Sequence, residues 1–266
     1  MLEQAVDFRE ESEALYVLLA PLSEQEFERQ TQFKDWTLND ILGHLHHWNW
    51  AADYSLRDGD AFQAWVNELM PEAAVHGLRP IENRWLDGLK GRQLLETWRD
   101  YYLEMSARFE AVDPKHRVKW AGPDMSVRSS ITARLMETWS HAQAVYDLLG
   151  VERVDTDRIR NIAQLGINTF GWTFHNRGEA PPGDVPCVRL RAPSGASWEW
   201  NTENTNDRVE GSATEFCQVV TQTRNIADTG LTVSGPTATR WMAVAQCFAG
   251  PVETPPPAGA RHLREV

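Results

Sequence analysis

The stretch Ile131–Gly150, which reads ITARLMETWSHAQAVYDLLG, restricts the fold of this chain more than any other. Its spacing of apolar residues predicts one long helix. At about 100° per residue, Glu137 and His141 share a face of that helix with Ala144 and Leu148. Burying a carboxylate and an imidazole in apolar surroundings is costly unless partners receive them. A metal ion is therefore the leading candidate for that partner.

A second long helix is predicted for the segment that reads WTLNDILGHLHHWNWAADYSLRDG. Thr37 is its expected N-cap, and Asp40 at N3 completes a variant of the capping box. On the helical wheel His44 falls among apolar residues, His46 falls on the opposite side and His47 lies at the edge. We therefore expect His44 alone of the three to be buried, and to point toward the carboxylate and imidazole of the first helix.

The remaining patterns divide the chain into a helical part and a mixed part. Further helices are predicted over residues 3–20, 60–77, 82–111 and 157–174. A segment rich in proline and glycine, residues 176–186, reads as a connection. Short alternating segments after it predict strands, followed by two helices and a mobile, proline-rich tail. We predict a mainly α protein, with a helical bundle over residues 1–178 and a small α+β domain over residues 179–266.

Composition and charge exclude several classes of partner. The net charge is −12, and no basic run occurs, which argues against nucleic acid and against anionic membranes. The three cysteines form no CxxC pair, so neither a thiolate zinc site nor a disulfide framework is indicated. The N-terminus has no signal-peptide pattern, and no run of about 18 apolar residues is present. A soluble cytoplasmic protein is the simplest expectation.

The predicted helices bring together a possible ligand set for a divalent metal. Side chains on facing helices of a bundle commonly build such sites. Two imidazoles, from His44 and His141, and the carboxylate of Glu137 suit a catalytic zinc ion or another borderline ion such as Ni, Fe or Mn. Three protein ligands would leave a position open for water or substrate. Two other interpretations stay open: a chance pairing of Glu and His four residues apart, and hydrogen-bonded core histidines.

A resemblance to a known family adds to this interpretation. The segment DWTLNDILGHL, followed about ninety residues later by RLMETWSH, resembles the DinB-like superfamily, and most closely its mycothiol-dependent maleylpyruvate isomerase-type branch. The segments ETWSHAQAVYDLLG and GWTFHNRGEAPP, the run FCQVVTQTRN and the ending MAVAQCFAGP are similar to one bacterial subgroup of that branch. The resemblance implies a DinB-like four-helix bundle with His44, Glu137 and His141 as metal ligands.

The resemblance also implies a chemistry in which the metal activates a low-molecular-weight thiol, either mycothiol or glutathione. A thiolate that adds to an electrophilic alkene and leaves again after bond rotation gives cis–trans isomerisation, and one that stays gives S-transfer. Arg224 stands roughly where isomerase relatives use an arginine to meet an acidic group, although an ordinary arginine at a helix end is an equal alternative.

Three other side chains are candidates for the same site. Arg134, one turn before Glu137, is predicted to support that carboxylate and is grouped with Arg224 as a catalytic candidate. Arg177 and Asn176, at the predicted domain junction, are candidates for binding the cosubstrate.

Other functions remain open at this stage. One is metal-dependent hydrolysis or lyase chemistry with bound water, and another is a non-catalytic module that binds a small ligand. The expected partner is a small molecule, and the protein is expected to be a monomer or a homodimer.

Overall fold

The computed structural model describes residues 1–265. The chain divides into two compact units, Met1–Val145 and Tyr146–Val266. This division falls earlier than the boundary predicted after residue 178, so the helices between residues 157 and 178 belong to the second compact unit. The predicted domain boundary at residue 178 stays a prediction.

The first unit is built from helices. They are α1 (Glu3–Leu19), α2 (Leu38–Arg57), α3 (Gly59–His76), α4 (Arg79–Leu86), α5 (Gly91–Glu110) and α6 (Val127–Leu149), the last of which runs on into the second unit. A short antiparallel pair of strands, β1 (Arg117–Val118) and β2 (Met125–Ser126), precedes α6. Helix α2 is central, because it packs against α3, α4 and α5, while α1 packs against α5.

Helix α2 begins at the predicted capping box. The hydroxyl oxygen of Thr37 accepts a hydrogen bond from the backbone N–H of Asp40 at 3.1 Å, and the Asp40 carboxylate accepts one from the backbone N–H of Thr37 at 2.8 Å. These reciprocal bonds satisfy two of the N–H groups that a helix leaves free at its start. They fix where the helix begins, and so they place His44 about two turns further along.

The long helix predicted over residues 82–111 is in fact two helices, α4 and α5. The helix is interrupted between them at Asp87 and Gly88, whose φ angles are 48° and 82°. Residues with positive φ end a helix, and glycine adopts this conformation without steric cost. Helices α4 and α5 pack separately against α2. Glu82 consequently lies in a short helix of its own, packed on α2.

The second unit combines short helices with a mixed sheet. Its helices are α7 (Arg160–Asn168), α8 (Phe170–His175), α9 (Ala213–Val220) and α10 (Pro236–Met242), and its strands are β3 (Cys187–Arg191), β4 (Ser197–Trp200), β5 (Arg208–Ser212) and β6 (Thr232–Ser234). The strand order is β4-β3-β5-β6, with β3 and β5 parallel and the other pairs antiparallel. The strands predicted after residue 186 are present, and β3 and β4 pair as an antiparallel hairpin. The helix predicted over residues 157–174 is broken at Thr169.

The proline-rich tail, predicted to be mobile, is bound to the second unit. The carbonyl of Pro256 accepts a hydrogen bond from the side chain of Asn225 at 2.8 Å, and the Arg261 guanidinium donates to the carbonyl of Gln222 at 2.6 Å. Proline fixes φ and lowers the entropy lost on ordering, so a few such bonds are enough to hold an extended segment.

The architecture confirms the predicted fold class, a mainly α protein whose helical bundle precedes a small α+β part. The three cysteines, which suggested no disulfide framework, are free and buried. Within residues 1–265, every helix is too short or too polar to cross a lipid bilayer.

Candidate metal centre

His44, Glu137 and His141 converge in the first unit. Each offers one ligand atom, and these atoms all lie within 4.8 Å of one another. A Glu137 carboxylate oxygen lies 3.3 Å from Nε2 of His141 and 3.6 Å from Nε2 of His44. The structure therefore places His44 of α2 beside the pair on α6, as the helical phases predicted. That these three side chains bind a metal stays a prediction.

The other ring nitrogen of His44 has a partner that the sequence did not reveal. Nδ1 of His44 lies 2.8 Å from a carboxylate oxygen of Glu82, and the indole N–H of Trp48 donates to the same oxygen at 2.9 Å. Glu82 is only 3% exposed. The helical pattern of residues 82–111 gave no sign of this contact, because it predicts one continuous helix. A signal was available in the pair His44 and Trp48, which present two polar N–H groups one helical turn apart.

Two aromatic rings from the segment before α2 hold the His141 imidazole. The Trp36 ring stacks on it with an interplanar angle of 3° and a centroid distance of 5.6 Å, and the Phe33 ring meets it edge-on at 5.0 Å. Between these rings the chain turns through Lys34 and Asp35, with φ angles of 52° and 56°. Non-glycine residues rarely adopt this conformation. The turn presents both rings to one face of the site, and so limits the orientation of His141.

Arg134 lies buried beside the cluster, at 3% exposure. Its Nε donates to the side-chain oxygen of Asn49 at 3.0 Å. Burial lowers the pKa of Arg134 to about 10, and the carboxylates of Glu137 and Glu82 act in the opposite direction. The guanidinium thus remains charged at neutral pH. It offsets part of the negative charge of the two carboxylates, and its predicted supporting role stays a prediction.

The three candidate ligands have strongly coupled ionisations. Burial lowers the pKa of His44, but Glu82 and Glu137 outweigh burial and raise it to about 9. For Glu137, burial is opposed by His141, His44 and Arg134, which hold its pKa well below the usual value. The pKa of His141 is lowered, chiefly by burial. Arg134 and a protonated His44 thus balance the charges of Glu82 and Glu137, and a metal ion bound at Nε2 of His44 would replace the positive charge of that imidazole.

The expectation that only His44 is buried is wrong. His46 and His47 are 5% and 1% exposed, and burial lowers the pKa of each to about 4. Both are enclosed by rings of neighbouring helices: the Trp85 ring lies 5.3 Å from His46 and 4.8 Å from His47. The helical wheel of α2 predicts one exposed face, but other helices pack against α2 on several sides. His44 is the most exposed of the three, with 12% of its side chain accessible, so its direction toward Glu137 and His141 was predicted correctly and its burial was not.

Arg224 of the second unit is already engaged. Its guanidinium makes two hydrogen bonds to the Asp147 carboxylate, at 2.8 and 2.6 Å, in the bidentate geometry typical of an Arg–carboxylate pair. Asp147 is 2% exposed. The pair connects α6 with the loop after α9. The predicted contact of Arg224 with an acidic substrate stays a prediction.

Arg177 and Asn176, the candidates for cosubstrate binding, hydrogen-bond to backbone carbonyls near the C-terminus. The Arg177 guanidinium donates to the carbonyls of Val244 and Glu253 at 3.0 and 2.6 Å, and the Asn176 amide donates to that of Gly250 at 3.2 Å. These bonds hold the segment that follows α10. Both residues thus have a structural role, and cosubstrate binding stays a prediction.

The three residues fit a divalent metal ion. In a tetrahedral site with metal–ligand distances of about 2.0–2.1 Å, neighbouring ligand atoms lie about 3.4 Å apart. The distances from the Glu137 oxygen to the two imidazole nitrogens, 3.3 and 3.6 Å, are close to that spacing. They are too long for strong N–H···O hydrogen bonds, which cluster near about 2.9 Å. A carboxylate that lies between two imidazoles at this separation suits a shared cation.

Comparison with known proteins gives a consistent set of matches. Residues 8–146, just over half of the chain, match the family described as mycothiol maleylpyruvate isomerase N-terminal domain. The uncharacterized protein Rv0036c of Mycobacterium tuberculosis is 36% identical over 247 residues, which cover 92% of this chain and 95% of that protein. A second uncharacterized protein, from another strain of that species, matches with the same identity and coverage.

Two solved structures share the fold. The crystal structure of the mycothiol-dependent maleylpyruvate isomerase matches with a TM-score of 0.57 at 17% identity, covering 89% of this chain and 95% of that one. A histidine-to-alanine mutant of that enzyme matches with a TM-score of 0.52 at 17% identity, covering 82% and 87%. At this identity the matches establish a common fold, which confirms the expected DinB-like architecture.

Proposed function

This chain belongs to the mycothiol maleylpyruvate isomerase N-terminal domain family, and on that premise we propose that it is a metal-dependent enzyme that uses a low-molecular-weight thiol. His44, Glu137 and His141 hold a divalent ion, and the thiol attacks a small electrophilic substrate. The observation that carries the proposal is the convergence of these three ligand atoms within 4.8 Å at a partly buried site.

Zinc is the ion that this donor set suits best. Two imidazole nitrogens and one carboxylate oxygen, with a position left for an exogenous ligand, are typical of catalytic zinc. Ni, Fe and Mn accept the same donors, since affinity among first-row ions depends on geometry and availability. The absence of cysteine from the set argues against a closed structural zinc site.

A bound divalent ion would lower the pKa of a thiol in its open position, so that thiolate forms at neutral pH. The residues around the cluster support this chemistry. The carboxylates of Glu82 and Glu137 carry two negative charges, and Arg134 carries one positive charge. A divalent cation brings the sum to +1, and a thiolate brings it to zero. The site thus stabilises the anion of the thiol over its neutral form.

The reaction that follows depends on the fate of the added sulfur. A thiolate adds to one carbon of an electrophilic alkene, and the carbon–carbon double bond becomes a single bond that rotates. Expulsion of the same thiolate restores the double bond in the other geometry, which is an isomerisation. If the carbanion is protonated first, the sulfur stays attached, which is an S-transfer. The rings of Trp36 and Phe33 fix the His141 ligand while the substrate reacts.

Metal analysis of the purified protein is the first test. After expression with added zinc, we expect close to one equivalent of divalent metal, which Glu137→Ala and His141→Ala reduce strongly. Less than about 0.2 equivalents in the wild type would refute the proposal, since an open three-ligand site still binds its ion tightly.

Thiol use is tested separately. Cobalt in place of zinc gives an absorption spectrum that thiol coordination changes, so titration with mycothiol and with glutathione should shift it. A protein that binds cobalt without responding to either thiol, and that hydrolyses esters or amides, would favour the alternative of metal-bound water. A protein that binds cobalt and accelerates neither reaction would favour a non-catalytic binding role.

A further inference from the structure

We propose that Glu82 is a positioning residue that directs Nε2 of His44 toward the metal. This inference rests on the proposed function and concerns a residue outside every motif considered in the sequence. Glu82 lies in α4, its carboxylate is almost fully buried, and one of its oxygens accepts hydrogen bonds from both His44 and Trp48.

Placing the Glu82 carboxylate in the core costs solvation free energy. An ionised carboxylate removed from water loses several kcal/mol of solvation unless hydrogen-bond donors replace the water. The N–H groups of the His44 imidazole and the Trp48 indole replace the water, since their nitrogens lie 2.8 and 2.9 Å from the same Glu82 oxygen. Because they come from His44 and Trp48, one helical turn apart on α2, the carboxylate is held against one face of that helix.

The contact with Glu82 determines which ring nitrogen of His44 carries the proton. The indole N–H of Trp48 can only donate, so the Glu82 oxygen that it contacts is a hydrogen-bond acceptor, and the same oxygen lies 2.8 Å from Nδ1 of His44. Nδ1 of His44 is therefore the donor. With its proton on Nδ1, a neutral imidazole has its lone pair on Nε2. Nε2 is the atom that faces Glu137, at 3.6 Å.

The hydrogen bond to Glu82 should also raise the affinity of His44 for a metal ion. A histidine ligand whose other nitrogen donates to a carboxylate is fixed in ring orientation and is a more basic ligand, and loss of such a partner costs about 10–100-fold in metal affinity. Trp48 strengthens the effect, because its indole N–H keeps the Glu82 oxygen in place when the imidazole moves. We expect Trp48→Phe to weaken metal binding by less than Glu82→Ala does.

The experiment measures zinc affinity by competition with a chelator in full-length protein. Glu82→Ala should weaken binding by about 10–100-fold, and Glu82→Gln, which keeps the shape of the side chain, by a smaller factor. Asp53→Asn is the matched control: Asp53 is a fully buried carboxylate on α2, the helix of His44, and is bonded to Arg108 at 2.8 and 2.9 Å. It should lower stability and leave zinc affinity unchanged.

A second measurement separates positioning from simple support of the fold. Long-range proton–nitrogen NMR correlations of the zinc-loaded protein should show His44 with a protected proton on Nδ1. Glu82→Ala should lose that protection, while Asp53→Asn keeps it. If Glu82→Ala does not fold, Glu82→Gln carries both measurements. A residue that only stabilised the fold would lower the free energy of unfolding without changing this signal.

The outcomes distinguish the two proposals. Zinc uptake by the wild type, with Glu82 variants that bind as tightly as Asp53→Asn, would overturn the role of Glu82 and leave the proposed function intact. A wild-type protein that takes up no divalent ion would refute the proposed function, and this role with it. Weakened binding together with loss of the Nδ1 signal supports both.

Discussion

Replacement of His44 by glutamine is the most direct test of the candidate site, because two neighbouring histidines supply matched controls. His44→Gln removes a proposed ligand, whereas His46→Gln and His47→Gln remove imidazoles that face other aromatic rings. All three changes are in α2, and all three replace a ring with an uncharged amide. Only the His44 variant should lose metal affinity.

The expected size follows from the ligand count. Structural zinc sites with four protein ligands bind with about 10–16 kcal/mol, which is roughly 2.5–4 kcal/mol for each ligand. Loss of one ligand should therefore weaken binding by about 10²–10³-fold. Zinc at about a thousand times the wild-type Kd stabilises the folded protein by about 4 kcal/mol, and at the same concentration the His44 variant should gain only about 0.4–1.4 kcal/mol.

Urea unfolding with and without zinc measures this difference directly. His46→Gln and His47→Gln can lower the stability of the metal-free protein, since both side chains are buried, but their gain from zinc should match the wild type. A His44→Gln protein that keeps the wild-type gain would refute the assignment of His44. The same conclusion would follow if His46→Gln or His47→Gln lost as much of the gain as His44→Gln.

Three further predictions concern the fold of the two units. Burial raises the pKa of Asp40, but hydrogen bonds from Thr37 and Arg79 outweigh burial and hold the pKa below its usual value. Asp40 therefore contributes stability above about pH 4 that is lost as the pH falls through its lowered pKa, and Asp40→Asn should cost about 1 kcal/mol at pH 7 and little at pH 2.5 in urea unfolding. Gly166→Ala should destabilise by about 1–2 kcal/mol, since a Cβ there would lie 2.8 Å from a methyl of the stiff Val220 side chain. Cys217, whose pKa burial raises well above the usual value, should react with iodoacetamide only after unfolding.

Each of these three predictions has a control variant or a result that would contradict it. An equal cost of Asp40→Asn at pH 7 and at pH 2.5 would contradict the role of its charge. Gly171→Ala is the control for the glycine test, because nothing lies within 4 Å of the added Cβ and the helix gains up to about 1 kcal/mol. Labelling of Cys217 in native protein, followed by mass spectrometry, would show that the thiol is accessible.

Local sequence rules determined much of this protein. The capping box at Thr37 and Asp40 fixed the start of α2, and therefore its helical phase. Helical phase placed His44 toward the cluster, and the spacing of four residues placed Glu137 and His141 on one face of α6. These inferences held because they depend on residues within a few turns of one another, where the geometry of a helix leaves little freedom.

Tertiary structure decided what surrounds the cluster. Whether His46 and His47 are buried depends on the helices packed around α2, and one wheel carries no information about its neighbours. Glu82 reaches His44 because α4, a short helix that ends before Asp87 and Gly88, packs on α2.

Local sequence rules and tertiary contacts differ in the distance along the chain over which they act. Periodicity and capping depend on neighbours in sequence, whereas the hydrogen bond from His44 to Glu82 joins residues 38 positions apart. Such pairs form only when helices pack, and packing selects among arrangements that are equally good locally. The sequence alone therefore identified the proposed ligands, and the packed structure supplied the carboxylate that orients one of them.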